Sequence, residues 1–142
     1  MPLHLIKLCV GADSIDDLAA WQKQRLAERK KKGDKPEVFH VTRMTPKRAE
    51  EILDGGSLYW VIKGHIAVRQ RLLALRPVVK NNQPHCALVL DAKLVRTAPR
   101  FHRPFQGWRY LDAGDAPADV KRGQATALPD NLRAELAELG LL

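Results

Sequence analysis

The spacing of apolar side chains changes several times along the chain, and each change marks an element. Residues 3–10, Leu-His-Leu-Ile-Lys-Leu-Cys-Val, alternate well enough for a strand, which Gly11 ends. The period then becomes helical. Ile15, Leu18, Ala19 and Leu26 fall on one face, and Ser14 stands as N-cap with Asp17 three residues on, the acidic form of a capping box. Trp21 lies at the edge of that stripe as a packing residue. Lys32-Gly33-Asp34-Lys35-Pro36 breaks the helix, and Val38-Phe39-His40-Val41-Thr42 predicts a second strand. Thr45 followed by Pro46 reads as an N-cap with proline at the first helical position, so a two-turn helix with Ala49, Ile52 and Leu53 inward should run to Gly55-Gly56.

From Ser57 the pattern is β. Leu58–Ile62 is rich in strand formers, Gly64 punctuates, and residues 66–72 keep the two-residue alternation, although Val68, Leu72 and Leu75 also fit a helix over 67–75. Lys80-Asn81-Asn82-Gln83-Pro84 is a turn, and Cys86–Leu90 reads as a buried strand pairing back. Residues 97–107 read as a proline-punctuated loop before a short strand at Trp108–Leu111. Residues 112–129 are polar and turn-rich. Asp130 caps a last amphipathic helix with Leu132, Leu136 and Leu139 on one side and Gly140 as its stop. The expected fold is α+β, a mostly antiparallel curled sheet or partly closed barrel flanked by two to three helices, in a single domain over residues 1–142.

Charge adds a functional clue. The formal net charge is +8, and its excess lies in the middle of the chain. Residues 55–111 hold ten bases, Lys63, Arg69, Arg71, Arg76, Lys80, Lys93, Arg96, Arg100, Arg103 and Arg109, against the single acid Asp91. Such a field attracts phosphates. Between Arg96 and Tyr110 the arginines and His102 alternate with Phe101, Phe105, Trp108 and Tyr110, which supplies guanidinium groups for phosphates and flat rings for bases. Arg69 and Arg71, two apart, share a face in a strand and would diverge in a helix. The expected interface is therefore Lys63, Arg69, Arg71, Arg96, Arg100, His102, Arg103, Trp108, Arg109 and Tyr110, with nucleic acid, RNA favoured, as partner. The run Arg29-Lys30-Lys31-Lys32 falls at a helix C-terminus, where cations complement the dipole, and reads as solvated.

Other chemistries find less support. The histidines His4, His40, His65, His85 and His102 are scattered, no phosphate-binding glycine loop is present, and Cys9 and Cys86 form no Cys-x-x-Cys pair, so neither metal nor cofactor is expected. An enzyme would draw on His40, Arg43, Lys63, His65 or Asp91, which form no recognisable catalytic set. Docking on an acidic protein partner is a third reading. No apolar run approaches the roughly 20 residues of a membrane span and no signal peptide opens the chain, which places the protein in the cytoplasm.

The opening residues 1–11, Thr42-Arg43-Met44-Thr45-Pro46-Lys47-Arg48, Gly56–Gly64 and Arg103–Leu111 resemble a family of unknown function typical of the alphaproteobacteria, over almost the full length. The order of a short helix, a glycine stop and a strand is also similar to the ASCH branch of the PUA-like barrels, small domains associated with RNA and modified nucleotides. That likeness implies a PUA-like barrel and, as an alternative activity, an amidohydrolase acting on modified nucleosides.

Overall fold

The computed structural model describes residues 2–120. Strand β1 (His4–Leu8) leads into helix α1 (Ile15–Lys31), then come β2 (Val38–Thr42), helix α2 (Ala49–Leu53), β3 (Ser57–Ile62), β4 (His65–Lys80), β5 (Gln83–Leu90), β6 (Val95–Phe101) and β7 (Trp108–Leu111). A 3₁₀ turn covers Ala113–Asp115. The seven strands form one sheet in the order β2-β5-β4-β3-β1-β7, with β6 added to β4. Only β1 and β3 run parallel, because α1, β2 and α2 intervene between them and carry the chain back to the same end. The fold is α+β with a mostly antiparallel sheet, as the apolar pattern implies, and the sheet is open, not a partly closed barrel.

The long β4 sets the curvature. Its first half pairs with β3 on one edge and β6 on the other, and its second half pairs with β5. The Leu72 N–H donates to the Gly56 carbonyl on the β3 side, whereas the Arg71 carbonyl accepts from the Asp91 N–H. Successive residues aim their backbone groups at opposite edges, so β5 and β6 follow one another along the same edge of β4. Bulges between Ile66 and Val68 and between Leu72 and Ala74 bend the strand at each partner. The helical alternative for residues 67–75 is thereby excluded.

Strand β3 is buried along its whole length. Leu58, Trp60 and Ile62 pack with Leu5, Ile15, Leu18, Val68 and Leu88 beneath α1, while Tyr59 and Val61 pack on the other face with Ile6, Ile66 and Leu111. The two faces therefore bury two separate clusters, α1 covering the first. Gln70, wholly buried, has its amide fully used. Its oxygen accepts from the Trp60 indole N–H and from Gln22, and its nitrogen donates to Gln22 and to the Asp91 carbonyl, all at 2.8–3.0 Å.

Three expectations need correction. Residues 95–101 are strand β6 rather than part of a loop. Pro99 is tolerated because β6 is an edge strand whose register against β4 shifts between the Ile66–Arg100 and Val68–Arg96 pairs, so no ladder bond is asked of its nitrogen, while on the outer side Thr97 bridges Asp119. Helix α2 begins at Ala49, not at Pro46, and no side chain of its own start caps it. The first strand is shorter than read, His4–Leu8. Ser14 does cap α1, accepting from the Asp17 N–H at 3.1 Å. The turn at Asn81 and Asn82 is a two-residue hairpin with positive φ at both, as its sequence asks. Two α-helices lie among the described residues, and the helix expected after Asp130 falls outside them. No described helix is long and apolar enough to cross a membrane.

Candidate nucleic-acid interface

Residues directly paired across neighbouring strands share a face of the sheet, so the register sorts the expected interface residues. Arg109 pairs with Ile6, Ile6 with Tyr59, and Tyr59 with Arg69, which puts Arg109 and Arg69 on the Tyr59 face about 14 Å apart. Arg71 joins them one pleat along β4, and Arg100, opposite Ile66, lies on the same face. Four of the ten are thus brought together. Arg96, opposite Val68, is on the α1 face, where its guanidinium lies 3.7 Å from the Asp16 carboxylate. Trp108 and Tyr110 share that face through Lys7 and Leu5.

Not all of these side chains are available to a partner. Arg69 makes two 2.7 Å bonds to Asp119 and one to the Ser57 hydroxyl, and Arg100 donates to the Asp115 carbonyl. These two arginines hold the stretch after β7 against the sheet. The Arg69 hydrogen bonds keep the Asp119 carboxyl below its ordinary range. Trp108 and Tyr110 also have structural tasks. The Trp108 indole donates to the Met44 carbonyl at 2.8 Å, and the Tyr110 hydroxyl accepts from the Lys47 and Arg48 N–H groups at 3.0 and 3.2 Å. They tie edge strand β7 to the segment after β2, across the gap that leaves the sheet unclosed.

A tighter group forms where the β3–β4 turn meets the end of β6. The His102 N–H donates to the Gly64 carbonyl, so Lys63 in the turn lies beside Phe101, His102 and Arg103. The Phe101 ring is 56% exposed and stands edge-on to His65 at 5.8 Å. His102 meets Phe105 edge-on at 4.9 Å, and Arg109 lies over the Phe105 ring at 5.6 Å. Among the described residues, Lys63, Arg103 and Arg109 enter no ion pair. Phe101 and Phe105, absent from the expected set, stand in this group, Phe101 exposed and Phe105 half-buried against the Ile6 cluster. Both lie within the segment that the arginine–aromatic alternation marks.

The catalytic candidates do not converge. His40 is held well below its ordinary range, at about 4, by burial and by Lys7, Arg25 and Lys80, and no described carboxylate acts on it. Asp91 accepts from the Lys93 N–H. His65 is buried, with Nδ1 3.1 Å from the Lys63 carbonyl and Nε2 without a hydrogen-bond partner. Cys9 and Cys86 are buried core residues, and burial pushes the Cys9 thiol up to about 11, far from a reactive thiolate. No group of three or more potential metal ligands occurs among the described residues.

No curated protein and no solved structure matches the chain. A family model does, from residue 5 to residue 142, across both sheet faces and the Lys63–Phe101 group, and the chain is thereby a member of the family of proteins of unknown function DUF1489.

Proposed function

We propose that the chain binds single-stranded nucleic acid, RNA in the first instance and in the cytoplasm, at the end of the sheet where Lys63, His102 and Arg103 neighbour Phe101, with Arg100, Arg109 and the half-buried Phe105 continuing the surface onto the Tyr59 face. The observation that carries this reading is the exposure of Phe101 where the end of β6 meets the Lys63–Gly64 turn, next to His102 and Arg103 in the chain. A large apolar ring in water among cations is what a stacked base with flanking phosphates requires. Arg71 and Arg109 extend the positive surface along the Tyr59 face. The PUA-like likeness of the helix–glycine–strand order adds to the reading at the level of fold analogy only.

Fluorescence anisotropy with a labelled single-stranded RNA tests it. Binding should weaken as salt rises, with a slope of about 0.7 per phosphate contacted. Phe101→Ala should cost about 1–3 kcal/mol of affinity, and Arg103→Ala should lower the salt slope by about one contact. Arg96→Ala, altered five residues along β6 from Phe101 and beside Asp16, should change little. Binding unaffected by Phe101→Ala, or absent at low salt, sinks the proposal.

A further inference from the structure

The α1 face carries a second hollow, built from elements that the interface above does not use. Where α1 passes over β2 a notch opens, walled by Trp21, Gln22, Arg25, Phe39, His40 and Trp60. It measures about 30 Å³ and is largely apolar, room for water alone while the Arg25 guanidinium stays stacked on Trp21. It adjoins a wider groove of about 270 Å³ that shares Arg25 and Phe39 and adds Arg29 and Lys32, with Glu28 and Asp34 also on its walls. Trp21, Arg25 and Arg29 recur every fourth residue on one side of the helix, so the helical repeat alone lines the cations up along the hollow. Arg25 lies over the Trp21 ring at 4.3 Å and Arg29 over the Phe39 ring at 5.0 Å, so ring faces and flat cations alternate along the opening.

Within the notch itself, as distinct from the wider groove with its Glu28 and Asp34, the electrostatics are one-sided. His40 stands edge-on to Trp60 at 5.4 Å, and the charges that act on it are all cations: Lys7 from β1, Arg25 from α1 and Lys80 from the β4–β5 turn. None of those three makes an ion pair with a described carboxylate. Like charges gathered around a half-buried, ring-lined space repel one another at a cost that a bound anion relieves, and the low local dielectric strengthens the attraction. Neutral apolar ligands would leave that repulsion in place. A bare inorganic anion would leave the rings unused.

We propose that this notch binds a small organic anion in which a flat ring carries one acidic group. The ring enters beside Trp21 and Phe39, displacing the stacked guanidinium of Arg25, and the acidic group is taken by Arg25 with Arg29. The proposal does not depend on nucleic-acid binding at Phe101. Carboxylate and phosphate satisfy the same chemistry, and separate probes distinguish them.

The full chain is titrated with benzoate and with uridine monophosphate, following tryptophan fluorescence and heat, with benzyl alcohol, uridine and inorganic phosphate as controls. At least one of the two anions should bind saturably in the millimolar range or below, and its neutral counterpart at least tenfold more weakly. The better probe tells whether the acidic group is carboxylate or phosphate. Arg25→Glu and Trp21→Ala, both at exposed positions, should each weaken that binding tenfold or more, while Phe101→Ala leaves it intact. In a nuclear magnetic resonance titration the bound anion should raise the pH at which His40 protonates, a shift that simple surface adsorption would not produce. Absence of saturable binding by both anions overturns the proposal, as does undiminished binding by Arg25→Glu or inorganic phosphate binding as tightly as uridine monophosphate.

Discussion

Two adjacent glycines do different work, and substitution separates them. Gly55 has φ +93°, a left-handed conformation that side chains rarely adopt, but an added Cβ would meet nothing closer than Pro2 at 3.8 Å. Alanine there should cost about 1 kcal/mol, the ordinary penalty for that backbone region. Gly56 has no unusual φ, yet a Cβ would run into the carbonyl oxygens of Leu3 and Ile52, and its own N–H donates to Ile52 at 2.8 Å. Because the obstacle is backbone that cannot rotate away, Gly56→Ala should cost about 3 kcal/mol, the upper end of overpacking. Urea denaturation of the two variants checks the order, and equal losses would show that the approach of β1 to the end of α2 is less tight than it is drawn. Gln70 sits at the same scale. Gln70→Leu keeps volume and removes polarity, but it leaves the Trp60 indole N–H and the Asp91 carbonyl unpaired in the core, so about 2 kcal/mol should be lost in the same assay.

Helix α2 shows why some elements are legible in the sequence and others are not. Thr45-Pro46 has the grammar of a helix start, but the helix begins at Ala49 because the donors that need a partner, the Lys47 and Arg48 N–H groups, are taken by the hydroxyl of Tyr110, more than sixty residues away. No local pattern records a cap of that kind. Tyr110→Phe should accordingly speed hydrogen exchange at the Lys47 and Arg48 amides and cost about 1–2 kcal/mol, while RNA affinity stays unchanged; a large loss of affinity would return Tyr110 to the binding surface. Strand β3 was readable because all six of its residues are buried and strand-forming, and the Asn81–Asn82 turn because its backbone admits few other residues. The extent of β4 was not, since its bulges shift the two-residue alternation into a rhythm that a helix also fits. Strand β6 was hidden by Pro99, a residue that signals a loop unless the strand is known to be an edge. The interface divides in the same way. The segment 96–110 was marked by composition, but which of its rings face water depended on pairing, so Phe101 emerged, Trp108 became half-buried in the seam, and Tyr110 kept an exposed ring with its hydroxyl engaged there. Trp21, Arg25, Phe39 and His40 come from separate elements, and only their assembly makes a hollow.

At the scale of the whole molecule the excess of positive charge should appear in how stability responds to acid, and His40 and Asp119 show how, since they titrate in different ranges. His40 has a folded-state value of about 4 against an ordinary 6.5, so the unfolded chain takes up its proton first as pH falls. Its contribution to stability is complete above about 6.5 and is lost progressively down to about 4, amounting to about 2 kcal/mol once partial exposure is allowed for. Asp119 is shifted the other way relative to its charge. Held below its ordinary 3.8 by Arg69, it stabilises the fold above that value and loses its contribution as pH falls through the lower folded-state value. Stability measured by denaturation from pH 7.5 down to 3 should therefore decline in two stages, the first above pH 4 and the second below it. His40→Gln should diminish the first stage, which His4, lowered by burial and Arg69, shares, and Asp119→Asn should diminish the second, which Glu37 and Glu51 share through their arginine partners. A first stage undiminished by His40→Gln would mean that the imidazole is better solvated than its place between Trp60 and three cations implies. An anion held at Arg25 should likewise shrink the first stage, by raising the folded-state value of His40 toward 6.5, so the acid profile reads the occupancy of the notch independently of any fluorescence change.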